Sequence, residues 1–266
     1  MQLEQSASKN TIDKVKQVAA GTRKGSCRFH FRSPKGNLMS TKKKQKQPQH
    51  FSLRHVKPMT DNQQAVFESW YQNQNLLLHG VAGTGKTYIS LYLALKEILN
   101  NDTYNQVVII RSTVPSRDMG FLPGKIEEKA KVYEEPYHDI CDDLFGRGDG
   151  YDILKTKRLV NFTTTSHLRG MTFKDSIIIV DECQNMVMQE LDTIITRMGE
   201  NSRIIFCGDF RQTDLQKDKE KAGLHKFMQI LDRTEVFDKI EFGPEDIVRS
   251  GLVKAYILAK LELGIA

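Results

Sequence analysis

The sequence predicts a layered α/β domain, a mostly parallel β-sheet with helices on both faces. Three observations predict it. Short apolar runs rich in Val, Ile, Leu and Phe alternate along the body of the chain with longer stretches of helical periodicity. The glycine-rich segment 80–87 joins one such run to one such helical stretch. A further run, 177–180, ends in the adjacent carboxylates Asp181 and Glu182. Several runs end in or run into Gly, Ser, Thr or Asp, and parallel α/β sheets gather their sites at those ends.

The front of the chain stands apart from this pattern. The 266 residues have a formal net charge of +6; residues 1–57 hold fourteen Lys or Arg and two acids, a net of +12, which leaves −6 for residues 58–266. Apolar periodicity is weak there, and Lys42-Lys43-Lys44-Gln45-Lys46 is followed by Gln-Pro-Gln. Residues 1–56 therefore read as a basic, flexible arm, and residues 57–266 as a single folded domain. Nucleic acid is the expected partner, with Lys42, Lys43, Lys44 and Lys46 as phosphate contacts, because neutralising phosphates releases counterions. A solubilising tail is the other reading. Phe29, Phe31 and Phe51 are interleaved with these cations and suit either base stacking or a small satellite core.

Cys27, Cys141, Cys183 and Cys207 lie far apart, which indicates neither a zinc knuckle nor a disulfide scaffold. Reduced thiols in a cytoplasmic protein are the expectation. No apolar stretch approaches the roughly 20 residues that span a bilayer and no signal-peptide pattern follows the amino terminus, so no membrane partner is expected.

Within the body, Thr60 can cap a helix over 61–71, and the first strand covers 75–79. That strand runs into Gly80-Val81-Ala82-Gly83-Thr84-Gly85-Lys86-Thr87, in which every position of a phosphate-binding loop is filled. The glycines let backbone N–H groups turn inward around phosphates. Lys86 reaches the β- and γ-phosphates, and the Thr87 hydroxyl ligates Mg2+. A nucleoside triphosphate is thus the expected substrate and Mg2+ the expected cofactor. Tyr88 lies beside the nucleotide in the helix over 87–100.

Strand 106–111 and a helix over 125–145 come next, and Gly146-Arg147-Gly148-Asp149-Gly150 reads as a flexible joint before strand 158–162. The stretch 120–150 is accordingly a helical insertion. Strand 176–181 ends in two carboxylates that adjacent positions can aim differently. Asp181 can hold Mg2+ or its water shell, and Glu182 can polarise the water that attacks the γ-phosphate. After a helix over 188–199 and strand 203–207, the turn Gly208-Asp209-Phe210-Arg211-Gln212 offers the Gln212 amide to the γ-phosphate or the attacking water. A polar turn with Asp209 as a helix cap is the plainer reading. Helix 221–231, strand 237–242 and helix 245–261 follow.

These motifs in this order resemble the PhoH family, P-loop ATPases whose RecA-like core is similar to the first motor domain of superfamily-one helicases. The resemblance rests on the 80–87 loop, Gly120-Phe121-Leu122-Pro123-Gly124, and His167-Leu168-Arg169-Gly170-Met171-Thr172-Phe173. It rests equally on Asp181-Glu182-Cys183-Gln184-Asn185, Arg197-Met198-Gly199, and Gly208-Asp209 with Gln212-Thr213-Asp214, and spans about residues 57–262. Cys183 stands where alanine is common and Met171 where a second arginine often follows Arg-Gly. The resemblance implies that Gln63 recognises adenine and that Arg111, Ser112 and, more loosely, Arg169 contact nucleic acid. It also implies that Arg249 is an arginine finger, supplied within the chain or from a neighbouring subunit of a homo-oligomer such as a hexameric ring. The implied activity is Mg2+-dependent ATP hydrolysis coupled to binding, translocation on or unwinding of DNA or RNA. An ATPase or kinase without a polynucleotide substrate, and an ATP-gated nucleic-acid-binding ring without unwinding, are the alternatives.

Overall fold

The structure is a computed structural model that describes residues 51–112, 126–168, 170–210 and 218–264. At its centre lie β1 (Asn75–Gly80), β2 (Gln106–Arg111), β3 (Val160–Thr164), β4 (Ser176–Asp181), β5 (Ser202–Gly208) and β6 (Phe237–Phe242). They form one six-stranded sheet in the order β3-β2-β4-β5-β1-β6, with every pairing parallel. Parallel neighbours need crossovers. The helices are α1 (Asp61–Tyr71), α2 (Lys86–Asn100), α3 (Ile126–Phe145), α4 (Gly150–Thr156), α5 (Met188–Ile195), α6 (Asp218–Thr234) and α7 (Gly251–Glu262).

Strand alternation sends side chains to both faces of the sheet. Leu76, Leu78, Ile177 and Ile179 join the buried residues of α1, α2, α3 and α4 in one core, whereas Leu77, Ile178, Val180 and Phe206 pack with α5 and α6 in a second. The fold is therefore the doubly covered parallel α/β sheet that the sequence predicts. Because β5 lies between β4 and β1, the loop after β1 and the carboxylates ending β4 face each other across one strand end.

Four departures have physical causes. Phe51, Leu53 and Val56, which charge alone assigns to the arm, pack against the first core. The Phe51 ring stacks on Phe145 at 4.2 Å, and Arg54 N–H donates to the Leu144 carbonyl at 2.8 Å. Gly150 is not part of a flexible joint but begins α4. Its N–H donates to Asp142 Oδ1 at 2.9 Å, and a Cβ there would stand 3.0 Å from the Cys141 carbonyl, so glycine serves close approach. α5 ends at Ile195 because 196–199 leave the helix to meet Phe173, whose N–H donates to Arg197 O and whose carbonyl accepts from Gly199 N–H. The pattern over 245–250 is not α-helical: after the 3₁₀ turn Pro244–Asp246, the chain extends through Ile247 and α7 begins only at Gly251.

The basic run 42–46, Phe29, Phe31, the 120–124 loop, Arg169 and Gln212 lie outside the described residues. Among the described residues no helix is long and apolar enough to cross a membrane, and Cys141, Cys183 and Cys207 are free thiols.

Candidate active site

β1 delivers the chain into the glycine-rich loop at a point where only glycine fits. Gly80 has φ +113°, and a Cβ there would stand 2.2 Å from the Phe242 carbonyl oxygen at the end of β6. That same carbonyl accepts from Val81 N–H at 3.0 Å, which ties the start of the loop to the neighbouring strand. Gly85 turns the chain with φ 84°, and α2 begins at Lys86, its N-terminus behind the loop. A helix N-terminus and inward-turned N–H groups make an anion cradle.

The Lys86 ammonium folds into this cradle, donating to the carbonyls of Gly80 at 2.9 Å and Val81 at 2.8 Å. Burial pushes its pKa down and the Asp209 charge opposes that shift. A bound phosphate would offer this cation stronger acceptors than two neutral carbonyls.

Opposite the loop, the Thr87 hydroxyl donates to Asp181 Oδ1 at 2.8 Å, and the Tyr137 hydroxyl donates to Asp181 Oδ2 at 2.8 Å. Burial and the Glu182 charge push the Asp181 carboxyl up, while Thr87, Tyr137 and Arg111 hold it down. Mg2+ binds hard oxygens, keeps several of its waters, and is commonly held by one or two carboxylates with substrate phosphates. A hydroxyl and a carboxylate already in contact beside a phosphate cradle fit that requirement. Among the described residues no group of three or more His, Cys, Asp or Glu side chains is placed to hold a metal without such help.

Glu182 leaves β4 in the left-handed region, φ 52° and ψ 40°, an uncommon backbone state for a residue with a side chain. In an unbroken strand, Asp181 and Glu182 would face opposite sides; with this twist both line the same cleft. Gln184 then bridges two strand ends. Its Nε2 donates to Glu182 Oε2 at 2.5 Å and its Oε1 accepts from Asp209 N–H at 3.1 Å. Gly208 lets β5 pass beneath this turn, since a Cβ there would stand 2.7 Å from Cys183 Sγ and 2.8 Å from Gln184 Oε1. Cys183, the residue at the alanine position, is buried in that contact.

The cleft has a volume of about 770 Å³ and continues from the carboxylates past the loop to Val56, Met59, Ile140 and Val248. This outer wall is built from distant parts of the chain. Gln63 is 3% exposed; its Nε2 donates to the Thr84 carbonyl at 3.0 Å and its Oε1 accepts from Met59 N–H at 2.7 Å. Its amide thus braces the loop against residues 57–59, and only one amide hydrogen and one lone pair remain for a base. Val248 N–H donates to the Gly83 carbonyl at 3.1 Å. Asp246 Oδ2 accepts from Asn62 Nδ2 at 2.7 Å and from Gly243 N–H at 2.8 Å. These bonds explain why 247–250 are drawn out of the helical pattern. They also bring Arg249 over its own loop: its Cγ stands 2.9 Å from where a Gly83 Cβ would be.

Tyr88 lines the cleft and donates to Asp143 Oδ2 of α3 at 2.7 Å; burial and that bond push its phenol up to about 12. Ser112 is 7% exposed, and Arg111, in register with Asp181 on β4, lines the cleft. Met171 packs against the second core, an apolar role for the residue that replaces an arginine. Sequence reasoning missed Tyr137, whose signal is a single tyrosine 44 residues from its partner, and gave no role to Gln184 or Asp246.

The profile of the PhoH-like protein family matches residues 55–260. A PhoH-like protein of Bacillus subtilis (strain 168) is 31% identical over 205 residues, covering 77% of this chain and 63% of that protein. Protein PhoH of Escherichia coli (strain K12) is 32% identical over 181 residues, covering 67% of this chain and 51% of that protein. The chain therefore spans less than two thirds of the length of either relative. Among solved structures, the large terminase from a thermophilic bacteriophage, in complex with ADP, aligns over 75% of this chain and 49% of that one, with a TM-score of 0.47 at 12% identity. Matched from the segment before α1 into α7, this chain belongs to the PhoH family.

Proposed function

We propose that this chain hydrolyses ATP and couples the hydrolysis to binding of a polynucleotide. The observation that carries the ATPase reading is the contact between the Thr87 hydroxyl and Asp181 at 2.8 Å, with Glu182 next in sequence and in the same cleft as Lys86. In the reaction, a water oxygen bonds to the γ-phosphorus, the bond from that phosphorus to the β–γ bridging oxygen breaks, and ADP and inorganic phosphate leave. Glu182 accepts the water's proton, held for the task by Gln184. Lys86 neutralises charge on the β- and γ-phosphates. Mg2+, when bound, offsets phosphate charge and orients the terminal phosphate, with Thr87 and Asp181 as its holders. Arg249 faces the same loop from its own chain, which supports a role within the subunit.

The polynucleotide part rests on the charge division, a net of +12 in residues 1–57 against −6 in the remainder. Self-association is part of the reading. Leu252, Tyr256 and Leu263 of the α7 region are 83%, 67% and 73% exposed and share one helical face, while Ile257 lies near Gly83. A second copy bound to that face would stand beside the nucleotide cleft. Steady-state ATPase assays with and without single-stranded DNA or RNA, across protein concentration, test the whole reading. The expected result is turnover stimulated by polynucleotide and rising with assembly. Turnover indifferent to both would leave an ATPase without a polynucleotide substrate, and no turnover would reject the reading.

A further inference from the structure

Arg111 is the last residue of β2, and its Cα partner on β4 is Asp181. Its guanidinium stands over the Tyr133 ring, 5.6 Å from the centroid. One turn further along α3, Tyr137 is fully buried and donates to Asp181 Oδ2 at 2.8 Å. α3 therefore presents two tyrosines to one end of the cleft, Tyr133 against the cation and Tyr137 against both the carboxylate and the cation. Lys86 lies on the loop side, Arg249 stands over Gly83, and Arg111 lies on the carboxylate side. Negative charge on the equatorial oxygens of a transferring phosphoryl group calls for a cation there.

We propose that Arg111 is a catalytic residue of this site, the cation that meets the γ-phosphate from the chain's own β2, and that α3 holds it there. Tyr137 is a positioning residue: with one oxygen of Asp181 bound to Tyr137, the other is left for Thr87 and the metal's water shell. The helical insertion thereby becomes part of the hydrolytic site, and movement of α3 alters both the cation and the carboxylate. The proposal rests on the ATPase reading above and adds a residue to it.

The test is binding of a fluorescent ADP analogue to the full chain with Mg2+, without and with aluminium fluoride, which mimics the transferring phosphoryl group. Wild-type protein is expected to bind at least about 10-fold more tightly with aluminium fluoride. Arg111→Ala should keep ADP affinity within about 3-fold and lose that tightening, and Arg111→Lys should recover part of it. For Tyr137→Phe, Mn2+ affinity in the presence of ADP, read by electron paramagnetic resonance, should fall by about 10-fold while metal-free ADP affinity stays unchanged. Tightening retained in Arg111→Ala, together with lost affinity for single-stranded DNA or RNA, would overturn the assignment and make Arg111 a polynucleotide contact. Unchanged Mn2+ affinity in Tyr137→Phe would overturn the role given to α3. Failure of wild-type protein to bind ADP at all would instead overturn the ATPase reading, and this assignment with it.

Discussion

The two ends of the cleft are made in different ways. At the phosphate end, the loop 80–87, Asp181 and Glu182 sit at the ends of adjacent or near-adjacent strands, and the parallel register of the sheet brings them together. At the outer end, the wall comes from residues 56–63, Ile140 and 246–249, joined by hydrogen bonds across as many as 184 residues of sequence. The comparison teaches where local chemistry suffices. A phosphate site of the kind proposed is written into contiguous motifs because backbone N–H groups and neighbouring side chains must converge within a few ångströms. The outer wall needs only shape and satisfied polar groups, so unrelated segments can build it.

Substitutions at the two ends should therefore fail differently. Lys86→Ala removes the charge proposed to meet the phosphates and should weaken ATP binding by about 100-fold, measured by calorimetry or fluorescence. A loss below about 3-fold would break the comparison at its phosphate end. Gly208→Ala places a methyl against Cys183 Sγ and Gln184 Oε1. Turnover should fall about 10-fold, with about 1–3 kcal/mol of stability lost in denaturant titration. Adding Cys183→Ala removes the nearer clash and should restore part of both.

At the outer end, Gln63→Ala leaves the Thr84 carbonyl and Met59 N–H without their partners. Nucleotide affinity should drop by about 3- to 10-fold through a looser loop, with kcat at saturating ATP nearly unchanged. A kcat loss as large as that of a phosphate-end variant would merge the two ends. The smallest effect on the nucleotide is expected from Phe51→Ala. It removes a ring stacked on Phe145 and flanked by the Lys157 ammonium at 5.1 Å. About 2 kcal/mol of stability should be lost with nucleotide affinity unchanged. No loss of stability would return residues 51–56 to the arm.

The strands, and the loop and carboxylate motifs that line one end of the cleft, were legible in the sequence because each is a local pattern. The runs at 75–79, 106–111, 176–181 and 237–242 match observed strands to within a residue. The failures occur where long-range contacts override local preference. Residues 245–250 have helical spacing, yet bonds from Val248 to Gly83 and from Asp246 to Asn62 hold them against the loop. Residues 196–199 are similarly drawn to Phe173. Gly150 looks like punctuation and is a packing contact. Arg111 carries no local sign of a carboxylate neighbour; the register of β2 against β4 sets it beside Asp181. Tyr137 had no local signal, because it lies on α3 and its partner ends β4.

Under the proposed function, binding and hydrolysis are separable at the phosphate end, with Lys86 serving the first and Glu182 the second. Glu182→Gln keeps the side chain's size and its contact with Gln184 while removing the base. ATP affinity and turnover of this variant, measured beside wild type, test that claim most directly. Affinity within about 3-fold of wild type, with turnover lowered by about 100-fold or more, is the expected result. Loss of affinity as large as that of Lys86→Ala, or turnover near the wild-type rate, would contradict it.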